Sequence, residues 1–371
     1  MPEGTVMPRR LQPVLVAVGV TLGGGAVIRH RVMSGHTDFF TVLGLATLIA
    51  VVWTFAIRQR IARKLLLGLS ALLFAVTLIE LGFWTLKKTA KQPVSHYVTP
   101  GFGTRDPVLG TRANPGGPYV ARKSDDRVIF EAQYTIDRNR LRTTLEATDP
   151  TRTVLFFGGS NTFGEGVNDS ETTSSRVVAL SDGRVRAYNF GLGGYGTHHM
   201  LLLLEEGHVA AAVKPVGRVV AVYYLIPDHL RRAAGLVWFD RRSQLFELGP
   251  SGSLHRAPAR ASDPKNWLDG SALYRRLHRN PAPIERRHYD LLAAIVKESG
   301  RRLAELYDGC ELHVVIEERE WLRKELDSRG VSPRQVPPLP ATHRFRDGHL
   351  NADGHDRLAR FVWTEILGGD R

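Results

Sequence analysis

The chain has 371 residues, 43% hydrophobic and 23% charged, with a formal net charge of +13. That balance excludes a disordered or collagen-like chain, and it suits an anionic partner surface without choosing one. A single cysteine, Cys310, excludes an internal disulfide framework and any cysteine-ligated zinc or iron–sulfur cluster.

Three apolar stretches come first. Leu11 to Ile28 is uncharged but contains Pro13 and the triplet Gly23, Gly24 and Gly25. Phe39 to Ile57 has 19 uncharged residues, and Leu65 to Leu86 has 22 with one charge, Glu80. Crossing a bilayer takes about 20 apolar residues, so the second and third are expected to span and the first is marginal. Arg58, Arg60, Arg63 and Lys64 join the last two stretches, and the positive-inside rule puts this joint in the cytoplasm. The expectation is a multi-pass anchor over residues 1–88, a phospholipid membrane as partner, and the remainder on the external side.

Residues 89–149 form a Pro/Gly-rich lead-in, with turn signals at Pro100-Gly101, Asp106-Pro107 and Pro115 to Pro118. One accessory strand is expected within it, from Arg127 to Ile136. After Thr151 short apolar strands alternate with helices, which predicts a mostly parallel sheet covered on both faces, an α/β/α sandwich over 150–371. The strands are 154–157, 184–190, 218–225 and 311–316. The helices are 170–180, 196–212, 285–306, 320–328 and 353–366. A polar insertion over 235–280 is expected at the mouth of a site.

Three segments carry chemistry. Phe156 to Gly166 contains Gly158-Gly159-Ser160-Asn161, a serine between glycines just past a buried strand. Asn189 to Thr197 follows the next strand and has the same glycine-rich character. Near the carboxyl end stands Arg346-Asp347-Gly348-His349, in a polar loop before the last helix. His349 is placed to take a proton from Ser160 while Asp347 orients the ring, the division of labour in serine hydrolysis. His343 lacks a close acidic partner. His355 lies in the first turn of the predicted helix, where packing or capping is the expected task. His198 and His199 lack a second ligand cluster, so no metal is expected there.

Taken together, these segments resemble the SGNH hydrolases, the GDSL-type esterases and lipases, over roughly residues 150 to 368. The resemblance implies a nucleophile at Ser160, an oxyanion hole from the backbone of Ser160 and Gly194, a base at His349 and an orienting acid at Asp347. Two positions depart from that pattern. Gly159 stands in place of an aspartate, and Pro227 stands where an asparagine would complete the hole. Asn161, Asp228 and His229 are the candidate substrate contacts. The implied reaction is removal or transfer of an acyl group, acetyl above all, on a cell-envelope glycan or lipid, without a cofactor or metal. Transfer would call for a membrane acyl-donor partner. The alternative is a catalytically silent, glycan-binding or scaffold domain, which Gly159 and Pro227 favour. Nucleic acid is not an expected partner, because the basic pairs are scattered and no reading helix accompanies them.

Overall fold

A computed structural model describes residues 12–33, 39–89, 94–237, 243–258, 271 and 283–369. The chain divides into two compact units. One comprises Met1–Gln92 with Arg260–Pro281, and the other Pro93–Ala259 with Ala282–Arg371.

The first unit contains α1 (Gln12–Met33), α2 (Phe39–Ala56) and α3 (Arg60–Thr89). Among the described residues only one stretch, Arg60–Gly82, is long and apolar enough to cross a membrane. The multi-pass membrane placement expected from sequence is therefore overturned. Helix α1 runs past its apolar stretch into Arg29 and Arg31. The Glu80 carboxylate on α3 accepts a hydrogen bond from the Ser271 hydroxyl.

The second unit is built on a five-stranded sheet. Its strands are β6 (Arg152–Gly158), β7 (Val185–Asn189), β8 (Arg218–Leu225), β11 (Glu311–Glu317) and β12 (Arg334–Val336), in the order β12-β11-β8-β6-β7. Every pairing is parallel. Alternation along β6 sends Leu155 and Phe157 to one face, Val154 and Phe156 to the other. The first face is covered by α6 (Thr197–Glu205) and α9 (Arg286–Leu306), through Leu201, Leu292 and Ile295. The opposite face is covered by α5 (Thr173–Leu180) and α11 (Ala352–Phe361), through Val177 and Leu358. The predicted helix over 196–212 is two helices, α6 and α7 (His208–Ala212), because Gly207 at φ 73° turns the chain between them. Beyond β8 lies α8 (Pro227–Ala233), and α10 (Glu320–Asp327) follows β11.

The lead-in holds more strand than its turn signals suggest. β1 (Ser95–Val98), β4 (Gly116–Ser124) and β5 (Val128–Ile136) form an antiparallel sheet, and β2 (Gly103–Asp106) pairs with β3 (Gly110–Ala113). Phe130, Tyr134 and Ile136 of β5 share one core with Phe157, Phe163 and Phe190 of the sandwich. The described part of the 235–280 insertion is the hairpin β9 (Phe246–Leu248) and β10 (Leu254–Arg256). Phe246 is buried in the same core, so this part is packed inward and does not only border an opening. Most of the remaining insertion, including 259–270 and 272–280, lies outside the described residues.

Arg142 locks lead-in to sandwich. Its buried guanidinium donates to Asp169 Oδ1 at 2.6 Å, Val167 O at 2.8 Å and Gln133 O at 3.2 Å. It also lies 4.2 Å from the Tyr134 ring and 4.7 Å from the Phe163 ring. Arg142→Met leaves those carbonyls without a donor, and the expected loss is roughly 3 kcal/mol, read from the urea unfolding midpoint. An unchanged midpoint contradicts this account of the joint.

Candidate active site

Strand β6 has β7 on one side and β8 on the other; the connection after β6 runs to β7 and the connection after β8 runs to β11, so the two leave the carboxyl edge of the sheet in opposite directions. In open α/β sheets that crevice is where ligands bind. The chain turns there at Gly158, whose φ of 152° suits glycine, and a Cβ would lie 2.1 Å from Thr162 Oγ1. Ser160 then opens the short helix α4 (Ser160–Phe163).

Side-chain bonds hold the neighbouring loop against α4. Asn189, at the end of β7, donates from Nδ2 to Thr162 O at 2.8 Å and to Ser174 Oγ at 3.1 Å. Its Oδ1 accepts from Gly191 N–H at 3.0 Å. A Cβ on Gly191 would lie 2.5 Å from Phe163 N, so the two glycine-rich loops are in direct contact. Among the described residues, neither Ser160 N–H nor Gly194 N–H makes a hydrogen bond.

The third loop arrives from the carboxyl end. His349 Nε2 lies 2.9 Å from Ser160 Oγ, and His349 Nδ1 lies 2.9 Å from Asp347 Oδ2. A carboxylate only accepts, so Nδ1 carries the proton and bare Nε2 accepts from the serine hydroxyl. Asp347 Oδ1 also accepts from the His349 N–H at 3.2 Å. The loop is braced on every side. Asn161 Oδ1 accepts from Leu350 N–H at 3.0 Å, and Arg344 donates to Gly348 O at 2.7 Å. Arg344 is in turn paired with Glu317, which accepts from Tyr224 O–H at 2.6 Å.

Two neighbours carried no signal in the sequence. Lys123 Nζ, from β4, lies 2.8 Å from Asp347 Oδ2 and 3.5 Å from Glu165 Oε1. Glu165 Oε2 lies 3.6 Å from His349 Nε2. Burial opposes ionisation of Asp347, but the bonds from His349 and Lys123 outweigh it and hold the carboxyl well below its usual range. Burial likewise disfavours the Lys123 ammonium, and the hydrogen bond to Asp347 with the charge of Glu165 overcomes it, so its pKa rises. Ligand atoms of Glu165, Asp347 and His349 lie within 4.8 Å of one another, as a metal site requires. The Lys123 ammonium already contacts both carboxylates, which leaves these residues poorly suited to a second cation.

Of the candidate substrate contacts, Asn161 is buried and joins the serine and histidine loops. Asp228 is exposed on α8. His229 is buried, with Nδ1 2.9 Å from Tyr223 Oη. Burial first, then Arg232 and His198, keep it neutral. Pro227 starts α8, where its missing N–H costs nothing, and it contributes no donor. His355 is fully buried with Nδ1 2.9 Å from Thr173 Oγ1, a packing role. His198 Nε2 lies 3.0 Å from Ser243 Oγ, and His199 Nδ1 accepts from Gly196 N–H at 3.0 Å.

No family model matches the chain, and no curated protein does. Among solved structures it is similar, at low sequence identity, to proteins described as lipolytic or as acetylesterases. A lipolytic G-D-S-L family protein from Veillonella parvula is 12% identical, with 58% of this chain and 98% of that one covered and a TM-score of 0.33. An acetyl xylan esterase from the rumen bacterium Butyrivibrio proteoclasticus is 12% identical, with 74% and 84% covered and a TM-score of 0.38. A carbohydrate acetylesterase from Sinorhizobium meliloti is 12% identical, with 58% and 99% covered and a TM-score of 0.31.

Gly159 has a steric reason to be glycine. A Cβ there would lie 2.7 Å from His229 Nε2, 2.9 Å from Tyr195 O and 3.0 Å from Arg232 Nη1. Gly159→Ala must push buried groups apart, and a loss of roughly 1–3 kcal/mol is expected in thermal or urea unfolding. Wild-type stability in that variant contradicts the packing described.

Proposed function

We propose that the protein is a serine esterase that removes a small acyl group, acetyl in the first instance, from a carbohydrate ester. The observation that supports this most is the unbroken run of hydrogen bonds from Ser160 Oγ through His349 to Asp347. Ser160 Oγ attacks the ester carbonyl carbon as its proton passes to His349 Nε2. Asp347, already ionised, accepts from Nδ1–H and stabilises the imidazolium that forms. The N–H groups of Ser160 and Gly194 are assigned to the tetrahedral oxyanion. His349 returns its proton to the departing alcohol oxygen, leaving an acyl-serine. Water, deprotonated by the same imidazole, then releases the acid and restores the serine. A sugar hydroxyl in place of that water makes the outcome acyl transfer. The acetyl ester is chosen on the resemblance of the Asp347-Gly348-His349 spacing to that of some acetyltransferase and esterase branches acting on exported polysaccharides.

Pro227 supports a second reading, a silent glycan-binding domain. Lacking one oxyanion donor costs roughly 10²–10³ in rate in enzymes that have it. A slow enzyme remains measurable, and that is the expectation here.

The test is hydrolysis of p-nitrophenyl acetate and an acetylated xylo-oligosaccharide by the full chain. Ser160→Ala and His349→Ala are each expected to lower kcat by at least about 10³-fold, with the double variant no worse than either alone. Folded parent protein with no turnover above Ser160→Ala sinks the esterase reading and leaves the binding reading standing.

A further inference from the structure

We propose that Lys123 is a positioning residue of this site, offsetting the charges of Asp347 and Glu165 so that His349 Nε2 pairs with the Ser160 hydroxyl and not with Glu165. The inference rests on the esterase reading above and adds a residue from outside the parallel sheet.

Two carboxylates approach one imidazole. Asp347 Oδ2 is 2.9 Å from Nδ1 and Glu165 Oε2 is 3.6 Å from Nε2. Each favours the imidazolium, and a protonated Nε2 would donate to Glu165 in place of accepting from Ser160. Such a histidine is no base. Lys123 touches both acids, at 2.8 Å and 3.5 Å. It contacts the Glu165 oxygen turned away from His349, and His96 Nε2 of β1 lies 3.8 Å from that same oxygen. The four side chains are 10–19% exposed, so water screens these charges poorly.

The other charged and titratable groups nearby do not supply this balance. Arg344 is paired with Glu317, and Arg346 with Asp125 at 3.0 Å and Asp126 at 3.4 Å. His355 is buried and neutral, its pKa pushed down to about 3 by burial, then by Arg142 and His349. Tyr134 accepts from Gly166 N–H at 2.9 Å, and burial with the two carboxylates keeps it un-ionised. Among the described residues, Lys123 is the cation bonded to both acids.

The experiment is the pH profile of kcat/KM for p-nitrophenyl acetate, with the full chain, for the parent, Lys123→Met, Lys123→Arg, Glu165→Gln and Lys123→Met/Glu165→Gln. Removing the cation raises the imidazole's proton affinity, so the acid limb of Lys123→Met is expected to move up by about one pH unit. Lys123→Arg should keep the parent limb, and the double variant should return towards it. Glu165→Gln alone should move the limb to lower pH, which tests the charge balance even if Lys123→Met folds poorly. A uniform loss of rate with every limb unmoved means a merely structural lysine and overturns the proposal. A parent without turnover at any pH fails differently, bringing down the esterase reading and this inference together.

Discussion

Strand β6 ends where its own connection and that of its neighbour β8 depart in opposite directions, and the chain has only a few residues in which to turn. Gly158 makes the turn at φ 152°, and Gly159 lets His229, Tyr195 and Arg232 close in behind it. Ser160 is consequently the first side chain after the strand that faces the crevice. Everything else at the site is arranged around that point. β7 supplies its loop because it pairs with β6, and β8 closes the other side.

Three loops meeting at a strand end bring many backbone polar groups into one place, and these must be satisfied or solvated. Asn189 meets this need between the serine and glycine loops, and Asn161 between the serine and histidine loops. Arg142 does the same beneath them, with donors to carbonyls on either side of the lead-in joint. These bonds fix backbone, and the backbone fixes the chain from Ser160 to Asp347, 187 residues apart in sequence, to hydrogen-bond distances. The +13 charge of the chain has little to do with this. The local field at His349 is set by two carboxylates and one ammonium within a few ångströms.

Features with a local signature were legible in the sequence. A hydroxyl after a buried apolar strand and two glycines, and a histidine two residues from an aspartate, are written in consecutive residues. The four main strands and the helix over 285–306 were legible for the same reason, since periodicity is local. What escaped was non-local or conformational. Lys123 stands in a lead-in whose Pro and Gly residues masked four strands, and only folding brings it to Asp347. Glu165 lies five residues past Ser160, yet nothing in the string indicates that its carboxylate faces the imidazole. His229 read as a crevice residue because it follows a strand, but the missing side chain at Gly159 lets it turn inward. The multi-pass expectation is contradicted by the helices themselves. Hydropathy recorded apolar runs, while the helices show one stretch of sufficient length among the described residues.

The central claim is that Ser160 is a nucleophile activated by His349. It is tested most directly by treating the full chain with a serine-directed fluorophosphonate and mapping the adduct by peptide mass spectrometry. The account predicts a single adduct on the peptide containing Ser160, formed at least about 10²-fold more slowly in His349→Gln. An adduct at another serine, no adduct on folded protein, or equal rates in the two chains contradicts it.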